Sequence, residues 1–372
     1  MGIGQGASLD GFVPFPATDP LNQNISTLPV ASDSSAIIGL LGSIGLHPDF
    51  GAGTYDGINI GMGYEVVGSQ ALVPINYVDY GSQSDPGPMP IPANAPVEGA
   101  GDSSADHHVL ILSESNCFLY ELYHAALQTD GSWNAASGSV WDLLNDNARP
   151  YTWTSADAAG LPIFPLLARY DEVAAGEIRH ALRFTVAHTR DAFIAPATHV
   201  ASSSPTVGFA PMGTRFRLKA SYDISGFTPQ AKIVLQALKT YGMIVADNGS
   251  NMFIQGTNDS RWNNDDLHNI SKVPASAFEV VNTGAIWTYS TLPHGAAPVI
   301  SSLTSTASSV TSGTAVTVKW ETTGASYFVL TPGIGAVRGN SAVVKPTQTT
   351  TYTLHANSHF GSTTKTITIT VQ

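Results

Sequence analysis

Carboxylates in unusual places are the first residues to weigh for chemistry. Glu121 lies inside an aromatic run, FLYELY, and RYDEVAAGE sets Asp171, Glu172 and Glu177 close together, with Arg179 following at once. Cleaving a glycosidic bond takes two carboxyl groups, one to protonate the leaving oxygen and one ionised, roughly 5 Å apart for retention and about 6.5–9.5 Å for inversion. Glu121 with Glu172 or Glu177 is the pair this sequence offers. Asp247, at the end of an apolar run, and Asp265 come next. The competing reading of each acid is an ordinary ion pair or helix cap.

The arginines are also concentrated. In EIRHALRFTV, strand alternation puts Ile178, His180, Leu182, Phe184 and Val186 on one face, and Glu177, Arg179, Ala181, Arg183 and Thr185 on the other. RFRLKASYDI repeats the pattern, with Arg215, Arg217 and Lys219 opposite Phe216 and Leu218. If the two strands share a sheet, Arg179, Arg183, Arg215 and Arg217 can merge into one cleft that holds carboxylates or sugar hydroxyls. Salt bridging on a solvated face is the plainer alternative. His180 reads as a core histidine or a substrate contact. In SRWNNDDLHNI, Trp262 offers an aromatic platform, and Asn263, Asn264 and Asp265 offer planar hydrogen-bonding groups of the kind a sugar site uses.

Other chemistries find less support. Cys117 is the one cysteine, so intrachain disulfides and multi-cysteine zinc sites are excluded, and it reads as a small apolar residue. His107 and His108 with Glu121 lack the H-x-H spacing of a cupin metal site. There is no G-x-S-x-G elbow, P-loop or dinucleotide-binding glycine fingerprint. No metal and no cofactor is expected.

The elements that must position these residues are mostly strands. HHVLILS (107–113) and CFLYELYHA (117–125) read as a hairpin across Glu114-Ser115-Asn116, and EIRHALRFTVA (177–187) as one long strand. MIVADNG (243–249) and MFIQGT (252–257) read as a second hairpin across Asn248-Gly249. One helix is clear: Thr228 as cap, Pro229 at the first position and Gly242 at the end. Prolines bar residues 84–100 from helix and predict an extended surface loop. Mainly β structure follows, with a large antiparallel sandwich or jelly roll, long loops and one or two helices. Residues 1–34 read as a loose arm and 35–295 as the catalytic domain.

From Ala297 onward four cations face one acid, whereas the rest carries 12 cations and 27 acids within a net charge of −12. That shift marks a domain boundary with an exposed linker near 293–299. Residues 298–372 show short, Thr-rich alternating strands with Trp320 as the inter-sheet core residue, a small β-sandwich. The run from SSVTSG to the end, with GTAVTVKW, PGIG and TTTYTL, resembles the immunoglobulin-like modules of secreted bacterial enzymes and surface proteins. That resemblance implies an extracellular protein whose main work lies in the other domain. Separately, AIIGLLGSIGLHPDFG, SDPGPMPIP, YDEVAAGEIRHALRFT and RWNNDDLH resemble a family of large secreted bacterial proteins, which implies no particular activity.

An acidic chain with 16 Lys and Arg against 28 Asp and Glu is a poor nucleic-acid binder. No apolar run approaches the roughly 20 residues of a membrane span. The first residues, MGIGQGASLDGF, lack the basic and apolar regions of a signal peptide, so a secreted chain would be in its mature form behind a new Met1. The expectation is a secreted polysaccharide-active enzyme, foremost a glycoside hydrolase with a carboxylate pair and a polysaccharide or oligosaccharide substrate. A lyase acting on a uronate glycan is the first alternative, and a non-catalytic glycan-binding or adhesion protein the second.

Overall fold

Short alternating runs assemble into several sheets in the computed structural model, which describes residues 1–372 and is mainly β. The sheets are mixed rather than purely antiparallel, because several non-consecutive strands meet in parallel. Val109–Ser113 and Phe118–Tyr123 form the expected antiparallel hairpin. Ser137–Asp142 flanks it on one side, with Glu65–Val67 and then Gly4–Gln5 on the other. Both faces of this sheet are covered, so every residue of Val109–Ser113 is buried. Alternate residues serve different cores: Leu110 and Leu112 join the main one, Val109 and Ile111 a smaller one around Trp133.

The second large sheet has the order Phe278–Val280, Arg215–Leu218, Met243–Asn248, Leu182–Val186, Phe253–Gln255 and His47–Asp49. It corrects two expectations. Residues 243–257 are not a hairpin: Leu182–Val186 lies between the two strands, parallel to Met243–Asn248 and antiparallel to Phe253–Gln255. Residues 177–187 are not one strand either. A short helix, Tyr170–Ala175, ends on Gly176 at φ 95°, and strand pairing begins only at Leu182. The strand in RFRLKASYDI is likewise confined to Arg215–Leu218.

Helix Pro229–Thr240 matches its sequence signals at both ends, with Gly242 at φ 71°. Its cap differs. Thr228 makes no side-chain cap bond, and Asp266 accepts instead from the backbone N–H groups of Gln230 (3.2 Å) and Ala231 (3.0 Å).

Residues 1–34 are packed rather than loose: Leu9, Phe15, Leu21 and Ile25 are buried, and Phe15 meets Trp141 edge-on at 6.5 Å. The proline-rich segment is no helix, but it runs inside the molecule, with Asp85, Met89 and Ile91 buried. Met89 exchanges both backbone hydrogen bonds with Val73, which satisfies the buried chain.

The C-terminal unit is a two-sheet sandwich around Trp320, Leu330, Tyr352, Leu354 and Ile369. Residues 294–297 before it are exposed. The sandwich docks on the rest through polar contacts: Tyr327 Oη donates to Asp85 (2.9 Å), Arg338 Nε to Asp142 (2.8 Å), and His359 stacks on Tyr151 at 4.7 Å. No helix is long and apolar enough to cross a membrane.

Candidate functional site

Strand register builds a polar grid on one face of the six-stranded sheet. His47 pairs with Phe253, Phe253 with Thr185, and Thr185 with Asp247. In the next row Asp49 pairs with Gln255, which stands beside Arg183. Paired residues share a face, while Leu182, Phe184, Val186 and Ile254 point into the core. A bulge brings Asp247 onto the polar face: Phe184 pairs with Val245, but Thr185 pairs with Asp247, skipping Ala246. With regular pairing, Asp247 would point to the opposite face from Arg183.

Arg183, 1% exposed, is the centre of this grid. Its guanidinium donates to Asp157 Oδ1 at 2.7 Å and to Gln255 Oε1. Asp157, Asp247 and Glu98 all act on it electrostatically. Beside it, His108 bonds to Glu98 through Nδ1 and to the Ala156 carbonyl through Nε2 at 3.0 Å. Burial alone would lower His108, but Glu98 outweighs it and raises the imidazole to about 9. Burial would likewise raise Glu98, yet His108 holds it below the ordinary carboxylate range.

The other carboxyls move the opposite way. Burial pushes Asp157 up to about 7, against the pull of Arg183, and Asp157 Oδ2 is buried without a hydrogen-bond partner. Burial also raises Asp247 and Asp49. Asp247 and Asp49 are only half-buried, and the Glu98 side chain is 22% exposed, so solvent reaches the face. Neighbouring His107 and His124 both hold positive φ, 51° and 54°. Backbone in this sparsely populated region gathers at sites of function.

The structure scatters the residues singled out in the sequence. Glu121 is fully buried and accepts from the Ile163 and Phe164 N–H groups (2.9 and 2.8 Å) and the Trp141 indole (2.9 Å). It anchors a loop and reaches no solvent. Glu172 and Glu177 do share one cavity of about 430 Å³, together with Arg179 and Asp171. Glu172 is spent on Arg169 and on His180 Nε2 (3.1 Å), and these outweigh its burial and hold it below the ordinary range. His180 itself is buried.

The single arginine cleft does not form. Arg179 sits on irregular chain and donates to the Gly11 carbonyl. Arg215 and Arg217 share the sheet with Arg183, but the N-terminal segment covers them. Arg215 donates to the Pro20 and Tyr241 carbonyls (2.7 and 2.6 Å), Arg217 to the Ile25 carbonyl (2.6 Å) and Glu279. Trp262 is buried with its indole on the Thr257 carbonyl (2.9 Å), so it is no sugar platform. Asp265 is exposed at the start of the short helix Asn264–Leu267.

Of the sheet-face groups, only Arg183 and, in reserve, Asp247 were candidates from sequence. Glu98, Asp157 and Asp49 lie in loop-like or very short runs that carry no periodic signal. No group of three or more His, Cys, Asp or Glu side chains is arranged to hold a metal ion. Compared with protein-family models, curated proteins and solved structures, the chain has no match.

Proposed function

We propose that this protein is a secreted glycoside hydrolase whose carboxyl pair is Asp247 and Glu98. The observation that carries the reading is the opposite displacement of the two groups around Arg183: burial keeps Asp247 protonated to higher pH, and His108 keeps Glu98 ionised. Acid and base roles fall to titratable groups whose surroundings push them apart. Asp247 donates its proton to the glycosidic oxygen as the bond to the anomeric carbon breaks. Glu98, held through one oxygen by His108, uses the other to activate water or to attack that carbon. Arg183 and Asp157 form the buried floor, and the Arg183 charge lowers both carboxyls from a distance while touching neither bond.

A uronate lyase is less well supported, because it needs a guanidinium free to neutralise the substrate carboxylate. Arg183, Arg215 and Arg217 are engaged internally, and Arg179 stands among Asp10, Asp171 and Glu177, which repel a uronate. The C-terminal sandwich, through its resemblance to immunoglobulin-like modules, supports an extracellular location.

Reducing-end release from a polysaccharide panel tests the reading. Glu98→Gln and Asp247→Asn should each lower kcat by at least about 10²-fold, Asp247→Asn with little change in Tm and Glu98→Gln with a lower Tm, because His108 loses its buried partner. Glu177→Gln, in the other cavity, should leave it unchanged. No release from any glycan, or full activity in the Glu98 and Asp247 variants, removes the assignment. Binding without release leaves a glycan-binding protein.

A further inference from the structure

Beside Asp49 the sheet face opens into a cavity of about 610 Å³, inside the range of roughly 300–1,000 Å³ common for small-ligand sites. Asn59 lines it and also lines a second cavity of about 430 Å³ with Asn258, Asp259 and Arg261. The two cavities therefore adjoin as two lobes, with Asn59 in the wall of each. Asn59 ends a small hairpin, residues 54–59, which pairs only with itself and turns through Asp56 (φ 50°) and Gly57 (φ 82°). Left-handed backbone at both central residues makes a tight two-residue turn. That turn presents Tyr55, which lines the first lobe and is 81% exposed. A tyrosine that lines a cavity yet adds nothing to the core is placed to stack on a ligand.

The charges define the ligand. No Lys or Arg lines the first lobe, and Asp49 is its one carboxyl. Burial holds His47 below its ordinary value, so its ring, stacked on Phe253 at 4.0 Å, is uncharged at neutral pH. In the second lobe Arg261 is neutralised by a two-point pair with Asp259, with Nε to Oδ1 at 2.8 Å. Both lobes offer hydrogen bonds but no free cation. We infer that this groove binds a neutral oligosaccharide. Tyr55 stacks on one sugar ring, Asp49, Asn59 and His268 take its hydroxyls, and the chain continues past Asn59 toward Asn258. The inference rests on the glycan-active reading above and names an uncharged substrate for it.

Calorimetric titration at pH 7 of the full-length protein, wild type and Asp247→Asn, tests it. The probes are neutral gluco-, xylo-, manno- and malto-tetrasaccharides and a tetragalacturonate. At least one neutral tetrasaccharide should bind, more tightly than its disaccharide, and tetragalacturonate should not. Tyr55→Ala and Asn59→Ala, both exposed and free of side-chain hydrogen bonds, should each weaken binding about tenfold with Tm unchanged. Tyr289→Ala, an exposed tyrosine away from the groove, should not. Binding of none of the neutral probes, equal binding of tetragalacturonate, or full affinity in Tyr55→Ala overturns the inference. Binding without reducing-end release upholds the groove and removes the hydrolase reading; release that ignores Tyr55 does the reverse.

Discussion

His108 shows how one buried side chain couples stability to pH. Its folded value of about 9, set by Glu98 against burial, lies above the unfolded value of roughly 6.5. The folded protein therefore holds this proton more tightly than the unfolded chain does. The stabilisation is complete below about pH 6.5 and is lost as pH climbs toward 9. Wild-type Tm should fall across that window, and His108→Gln should flatten the fall. Parallel melting curves for the two proteins would show the coupling to be absent. The same ion pair keeps Glu98 charged, so the variant should also lose activity at neutral pH.

At the scale of elements, side chains that look like ligand contacts turn out to join helices and loops. The run WNNDD is an example. Trp262 packs against Phe50 at 5.1 Å, Asn263 caps its own helix, and Asn264 exchanges hydrogen bonds with both backbone groups of Ala52. Asp266 caps helix Pro229–Thr240 from outside, placing a carboxylate where the Gln230 and Ala231 N–H groups have no partner within the helix. Asp266→Ala should cost about 1–2 kcal/mol of unfolding free energy, the upper part of the range for lost caps. Thr228→Ala should cost much less, because its hydroxyl makes no cap bond. Urea denaturation of both variants measures the difference, and equal losses would return the cap to Thr228.

Across the whole molecule, the C-terminal sandwich is tied to buried charge in the larger unit. Asp85 is fully buried and receives Arg149, the Val140 N–H (3.0 Å) and Tyr327 Oη. Arg149 also lies over the rings of Trp141 and Trp153, at 5.4 and 5.7 Å. Tyr327→Phe should cost about 1–3 kcal/mol, the usual penalty for a buried acceptor losing a donor. Deleting residues 298–372 should lower the Tm of the remaining chain further, since Asp142 loses Arg338 as well. An unchanged Tm in the truncated protein would show that the two units fold independently. The charge shift at the boundary is real in the sequence, yet it says nothing about what crosses the interface.

Local patterns were legible wherever the physics is local. The apolar runs 109–113 and 118–123 broken by a polar turn, the proline and glycine bracketing helix 229–240, and the apolar parity of Leu182, Phe184 and Val186 all depend on neighbours in the chain, and each is found. The mainly β class follows from them. Sheet order is different, because any two strands of similar pattern can pair. That Leu182–Val186 separates Met243–Asn248 from Phe253–Gln255 is decided by burial of all three together. Whether a polar residue is structural or chemical is decided the same way. Glu121 met three donors and became an anchor, and Arg215 and Arg217 met backbone carbonyls of a packed N-terminal segment. Glu98, Asp157 and Asp247 come from distant segments, and only tertiary packing places them around Arg183. A carboxyl takes its working protonation from desolvation and neighbouring charge, and neither exists until the chain has folded.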